Sequence, residues 1–250
     1  MIFLALSAVI GFGIDLAGYT TGKTSLAVVE IRGKFATATL LRGSALSIKR
    51  DTSSPLKEIL RQEVDVLRRC LTVGPVAIDI PIDLQDLTTT DRAEFVWQLT
   101  RRPIDRAVRA MPPLADRIGA PVARFAAIMH QGNFASLLGD RLFEAYPAGT
   151  LKTLNIETNS YKGESGATAL SSLCRTLKVE PPVESDHDID AIICAITAAA
   201  PADAIHDAKA LNVDGAMPKG FRIPKNLSFD RIETSVANFD TWMATRRGAS

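Results

Sequence analysis

The stretch Val9-Ile10-Gly11-Phe12-Gly13-Ile14-Asp15-Leu16-Ala17-Gly18 decides how the chain is read. Ile10, Phe12, Ile14 and Leu16 alternate with Gly11, Gly13, Asp15 and Ala17, the period of two that a β-strand imposes on side-chain direction. One face is large and apolar, while the other is small and carries a single acid. A carboxylate on an apolar strand needs a cation or a donor to be tolerated there, so Asp15 is a candidate for chemistry.

Outward from this strand, residues 24–31 are apolar and β-branched, Arg32-Gly33-Lys34 is a turn signal, and residues 35–41 are again strand-like. Three strands joined by hairpins are expected. A helix follows over about 53–71: Ser53 or Ser54 is placed to cap it, Pro55 suits its first turn, and Glu58 completes a capping box. Ile59, Leu60, Val64 and Leu67 mark its buried face. Val76-Ala77-Ile78-Asp79-Ile80-Pro81 is an apolar run interrupted only by an acid. It suits a buried parallel strand that carries a carboxylate at its C-terminal end.

Beyond it, residues 82–140 hold helical patches, over 91–99 and 122–138, separated by prolines, and read as an insertion. Residues 142–147 give a fifth strand bearing Glu144. Helices are expected over 164–177 and 188–200, and residues 201–250 form an irregular extension. The fold class is therefore α/β, with a β-β-β-α-β order and the 250 residues in one domain.

Composition narrows the function. Hydrophobic residues make up 46% and charged residues 23%, which excludes a disordered chain. With 29 Lys and Arg against 28 Asp and Glu, the net charge of +1 excludes a broad positive field that recruits any duplex. Contact with a polyanion must then be local. One cluster offers it: residues 101–124 contain six arginines and two aspartates, either a solvated helix face or an anion-binding surface. Cys70, Cys174 and Cys194 show no ligand spacing and read as reduced core thiols of a cytoplasmic protein. The apolar residues 1–10 lack a basic flank and are too short to span a bilayer. They read as the lead into the first strand, with no membrane partner.

Residues 17–24, Ala17-Gly18-Tyr19-Thr20-Thr21-Gly22-Lys23-Thr24, satisfy a relaxed phosphate-loop pattern. That loop works only where its Gly-Lys-Thr opens a helix whose N-terminal amides hold phosphate. Here Thr24 opens a β-type run, so the pattern is read as a coincidence.

The acids form a more coherent set. Asp15, Asp79 and Glu144 sit on or at the ends of strands, and Asp186, His187, Asp188 and Asp190 lie at the start of a helix. Parallel neighbours carry their C-terminal ends on one side, which brings such acids together. Gly11, Gly13 and Ala77 leave room for a close approach on the same face. Oxygen-only ligands select Mg²⁺ or Mn²⁺, and two such ions on carboxylates hydrolyse phosphodiesters without a nucleophilic side chain. Simpler roles stand beside these. Ser185-x-x-Asp188 is itself a capping box, Glu144 has Arg141 or the arginine cluster as an ion-pair partner, and His187 is either a helix-start residue or a ligand and proton shuttle. Asp190 lies beside the buried stripe of Ile193 and Cys194 and needs a partner.

The chain resembles the domain of unknown function 429 family, predicted nucleases with a ribonuclease H-like fold. The pieces that carry the resemblance are Gly13-Ile14-Asp15-Leu16-Ala17, Ala77-Ile78-Asp79-Ile80-Pro81, Arg102-Pro103-Ile104-Asp105-Arg106-Ala107-Val108-Arg109 and Phe143-Glu144-Ala145-Tyr146-Pro147. Tyr161-Lys162, Asp188-Ile189-Asp190-Ala191-Ile192-Ile193-Cys194-Ala195 and Lys219-Gly220-Phe221-Arg222-Ile223-Pro224 follow in order. The resemblance implies a β-β-β-α-β-α core with acids at the ends of strands one and four and on the last helix. It is similar to that of Holliday-junction resolvases, whose last-helix pattern falls on His187 and Asp190. Two departures are Leu16-Ala17 where the family has Gly after the first Asp, and Phe221 where it has Trp.

The expected function is a nuclease using two Mg²⁺ or Mn²⁺ ions. Asp15, Asp79 and Asp190 are the expected metal ligands and, with Glu144 and His187, the expected catalytic set. Arg102, Arg106, Arg109 and Lys162 are expected on the phosphates of a nucleic acid of particular structure. The alternatives are a non-catalytic ribonuclease H-like binding or scaffold module, and an ATP-dependent phosphotransferase of the actin and sugar-kinase superfamily. The latter requires a second glycine-rich phosphate motif, for which Asp214-Gly215 is the weak candidate.

Overall fold

Three hairpin-linked strands, β1 (Val9–Asp15), β2 (Ser25–Arg32) and β3 (Phe35–Leu40), lead into the helix α1 (Leu56–Val73) and the short strand β4 (Val76–Ile78), the order expected from the sequence. The computed structural model describes residues 8–19, 23–32, 35–47, 55–83, 102–111, 113, 118–153, 177–215 and 217–225. The helix expected over 91–99 lies outside them, as do Lys162, Cys174 and all but the last residue of the helix expected over 164–177. The remaining elements are α2 (Pro103–Val108), α3 (Gly119–Gly132), β5 (Leu142–Ala145), α4 (Pro147–Thr153), β6 (Leu177–Glu180), α5 (Asp186–Ala199) and β7 (Phe221–Arg222).

The strands form one mixed sheet in the order β6-β3-β2-β1-β4-β5-β7. β2 pairs antiparallel with both β1 and β3, and every other pairing is parallel. All described strands except β2 therefore point their C-terminal ends the same way.

Alternation sorts the core into two layers. Ile10, Phe12 and Ile14 face α1 and α3 together with Val76, Ile78 and Leu142. Ala27, Val29, Ile31, Ala36, Ala38 and Leu40 face α5 on the other side. Each residue of α5 from Asp188 to Ala199 is buried, as expected of a helix that is apolar all round. Four isoleucines, Ile189, Ile192, Ile193 and Ile196, are at most 1% exposed. Each contributes up to about 1.5–3 kcal/mol of transfer free energy.

Two helix boundaries differ from expectation. α1 has Pro55 itself as its N-cap with no side-chain cap bond: proline offers neither a side-chain acceptor nor an N–H, and the Glu58 carboxylate accepts from Arg61 and Gln62. α3 starts at Gly119 and stops at Gly132, where Asn133 adopts the left-handed conformation, φ 54°, that ends helices. Cys70 and Cys194 are buried free thiols. Among the described residues no helix is long and apolar enough to cross a membrane.

Candidate active site

Ile14 of β1 stands in parallel register with Ile78 of β4, so Asp15 and Asp79 are the next residues on adjacent strands. Both lie on the face opposite Ile14 and Ile78, the face that receives α5. The Asp79 amide donates to the Ile14 carbonyl at 3.0 Å, fixing where β4 ends.

The small residues expected to admit a close approach do so, and what approaches is α5. A Cβ at Gly13 would run into the backbone of Ala191 and Ala195, and one at Gly11 into that of Ala195 and Ala199. Main chain stacks on main chain, and this brings Asp190, the residue before Ala191, to the ends of β1 and β4. Asp15, Asp79 and Asp190 line one cavity of about 710 Å³, with His187, Asp186, Lys23 and Tyr146 also in its wall.

The electrostatics report the same convergence. The buried Cys194 thiol is pushed well above its ordinary value, first by desolvation and then by the carboxylates of Asp79, Asp190 and Asp15. The Tyr146 phenol is raised by burial and then by Asp79 and Asp190. His187 Nδ1 lies 2.6 Å from Asp15 Oδ2, and its Nε2 lies 3.9 Å from Asp186 Oδ1. That hydrogen bond to Asp15 raises the imidazole pKa despite partial burial, and the charges of Asp15, Asp186 and Asp190 add to the rise.

Asp188 belongs to the scaffold. Ser185 and Asp188 form the expected capping box. Asp188 also accepts from Ser25 Oγ at 2.6 Å and from Arg42 Nη1 and Nη2 at 2.8 and 2.7 Å. These bonds outweigh the cost of burial and hold its pKa low. They fasten the start of α5 to β2 and to the chain after β3. Asp188 and Arg42 line a second, smaller cavity of about 280 Å³ that shares Lys23, Asp186 and His187 with the first.

Glu144 is placed differently from the other acids. It pairs in register with Ile78, so its side chain leaves the sheet on the α1 side, and from there, with Arg102 and Asp105, it still reaches the wall of the acid cavity. There it accepts from Arg102 Nη2 and Nη1 at 2.5 and 3.0 Å and from the Ile82 amide at 2.8 Å. Arg102 is also bonded to Asp105, at 2.7 Å from Nη2. The expected phosphate contact is thus an arginine 6% exposed and held between two carboxylates. Arg106 and Arg109 are exposed and do not line the acid cavity.

Arg124, the other described arginine of that cluster to be buried, was legible only as part of a charge run. It pairs with Glu63 of α1 and donates to the carbonyls of Ala17 and Leu46 at 2.6 and 2.7 Å. Thr24 Oγ1 accepts from Arg124 at 3.2 Å and from the Ala17 amide at 3.0 Å. The threonine of the phosphate-loop pattern is therefore committed to shaping its own loop, and it precedes a strand, as the sequence implied.

Among the described residues, no three or more His, Cys, Asp or Glu side chains are gathered closely enough to hold a metal ion. No protein family, curated protein or solved structure matches the chain.

Proposed function

We propose that the chain is a divalent-metal-dependent nuclease of ribonuclease H-like architecture. The observation that carries this reading is the convergence of Asp15, Asp79 and Asp190, from two neighbouring parallel strands and the helix packed on them, onto one cavity. The β-β-β-α-β order agrees with the ribonuclease H-like resemblance, as do acids ending β1, following β4 and lying on α5.

Charge supports the metal part. The described lining of the cavity carries six carboxylates, Asp15, Asp79, Asp105, Glu144, Asp186 and Asp190, against two fixed cations, Lys23 and Arg102. Acids thus outnumber cations among the described lining residues. An oxygen donor set of this kind fits Mg²⁺ or Mn²⁺. The acids are not gathered into a ready cage, so the fit lies in donor chemistry and charge. Asp15, Asp79 and Asp190 would hold the ions. When bound, such ions activate a water and stabilise the leaving oxygen of a phosphodiester.

The chain's own groups do the rest. His187, with Nδ1 on Asp15, holds a proton at the edge of the cavity. Lys23, exposed and shared by both cavities, supplies a cation for a phosphate. Glu144 and Arg102 act as a positioning pair: through the Ile82 amide they fix the chain just after Asp79.

The test is cleavage of labelled single-stranded and duplex DNA and RNA, a hybrid, a flap and a four-way junction with Mn²⁺ or Mg²⁺, beside Asp15→Asn. Metal-dependent cutting that falls about a hundredfold or more in the variant is the expected result, equivalent to the several kcal/mol a bound cation supplies. Cutting that survives the substitution overturns the mechanism. Absence of cutting on every substrate returns the chain to the reading of a non-catalytic binding module.

A further inference from the structure

The acid cavity has an apolar part of its lining that the proposed hydrolysis leaves unused. Its volume, about 710 Å³, falls within the range of clefts that enclose a nucleotide-sized ligand. Besides the carboxylates, Ile80, Pro81, Met111, Ile118 and Tyr146 line it.

Met111 and Leu56 are the two large hydrophobic side chains exposed among the described residues, at 47% and 42%. Leu56 opens α1 and lines neither cavity; Met111 stands at the acid cavity. An exposed thioether is an adaptable surface for a flat partner. The Tyr146 hydroxyl donates to the Arg109 carbonyl at 3.2 Å, tying this ring to the end of α2 just before Met111. Its phenol also feels Asp79 and Asp190. An aromatic ring, an exposed Met and the acids thus share one cleft.

Among the described residues, the cationic side of the lining is sparse. Arg102 is consumed by Asp105 and Glu144, which leaves Lys23 as the exposed cation among the described lining residues. A duplex is held chiefly by neutralising several phosphates at once, whereas an unpaired strand gains from stacking its bases on aromatic and apolar side chains.

Resting on the nuclease reading, we propose that the wall of Met111, Ile118 and Tyr146 receives one unstacked base. The cavity then takes an unpaired stretch or end of a nucleic acid and excludes continuous duplex.

The experiment uses the full chain with a fluorescently labelled oligothymidylate and with the same strand fully paired to oligoadenylate. Cleavage is followed in Mn²⁺ and binding in Ca²⁺, for the unaltered protein, Met111→Ala and Met111→Asp. Because Met111 is exposed, neither substitution disturbs folding, which a thermal melt verifies. The expected result is that the single strand is cut and the duplex is not, and that Met111→Ala raises KM about tenfold, Met111→Asp more. Equal kcat/KM on both substrates, indifferent to Met111 yet abolished by Asp15→Asn, overturns the base pocket and leaves the nuclease reading standing. If neither substrate is cut, the nuclease reading falls on these substrates and binding in Ca²⁺ decides the pocket. Single-strand binding weakened at Met111 retains it, and no binding, or binding indifferent to Met111, overturns it.

Discussion

Arg124 and Glu63 show what a buried ion pair does in this chain. Their side chains are 1% and 0% exposed, and an isolated charge in such a place costs several kcal/mol. The pair is tolerated because its spare donors and acceptors are occupied: Arg124 reaches two carbonyls and Thr24, and Glu63 Oε2 accepts from the Tyr19 hydroxyl at 2.8 Å. The Arg124 guanidinium also lies 4.5 Å from the centre of the Tyr19 ring. Burial, the hydrogen bond to Glu63 and the charge of Glu63 push the Tyr19 phenol up to about 12, with Arg124 opposing them. A group whose pKa is raised on folding contributes stability below its unfolded value and loses it as pH climbs through the folded one. Stability is therefore expected to decline between about pH 10 and about pH 12, and Tyr19→Phe to flatten that decline and to lower the tyrosinate absorbance gained there by the share of one tyrosine. An alkaline titration of both proteins checks this. None of the hub was visible in the sequence, since Glu63 and Arg124 are 61 positions apart and no local pattern joins them. Asp15 and Asp79 were visible because each is the lone acid in an apolar run, a pattern that needs no partner to be seen.

Among the elements, β1 and α5 depend on each other most closely. Gly11 and Gly13 act here as space: α5 lies against the strand where a Cβ would stand. Gly13→Ala is expected to push α5 outward at a cost of about 1–3 kcal/mol, the usual range for overpacking. It should also lower metal-dependent cleavage more than the stability loss explains, because Asp190 moves with Ala191. Urea unfolding set beside cleavage at a temperature where the variant remains folded separates the two effects. The acids of β1, β4 and α5 were legible because strand and helix periods state which face a residue takes. For Glu144 the sequence named an ion pair with the arginine cluster beside a catalytic role, and the partner, Arg102, could not be singled out because the face taken by β5 is set by its register against β4. That register places Glu144 beside Ile78, and one residue of shift exchanges the two faces of a strand. The edge strand β6 was equally hidden, since its partner β3 lies more than a hundred positions away in the chain.

For the whole molecule, a net charge of +1 conceals a cleft whose described lining is rich in acids. The excess negative charge there is expected to make stability respond to divalent cations. Mn²⁺ should raise the thermal midpoint by about 2–4 °C for each kcal/mol of binding free energy, chelation should reverse the rise, and Asp79→Asn or Asp190→Asn should abolish it. Differential scanning calorimetry measures this without any nucleic acid, and an unresponsive midpoint removes the metal from the mechanism. The arrangement of the sheet also bears on synthesis. β1, β2 and β3 are made well before their partners: the glycine-lined seat on β1 is covered by a helix that begins only at Asp186, and β3 gains its outer neighbour only at Leu177. Until those segments are made, the three strands have a bare apolar face and an unpaired edge, the surfaces that invite misassembly. Completion of the sheet and burial of that face are therefore expected to come together, in a single late step of folding.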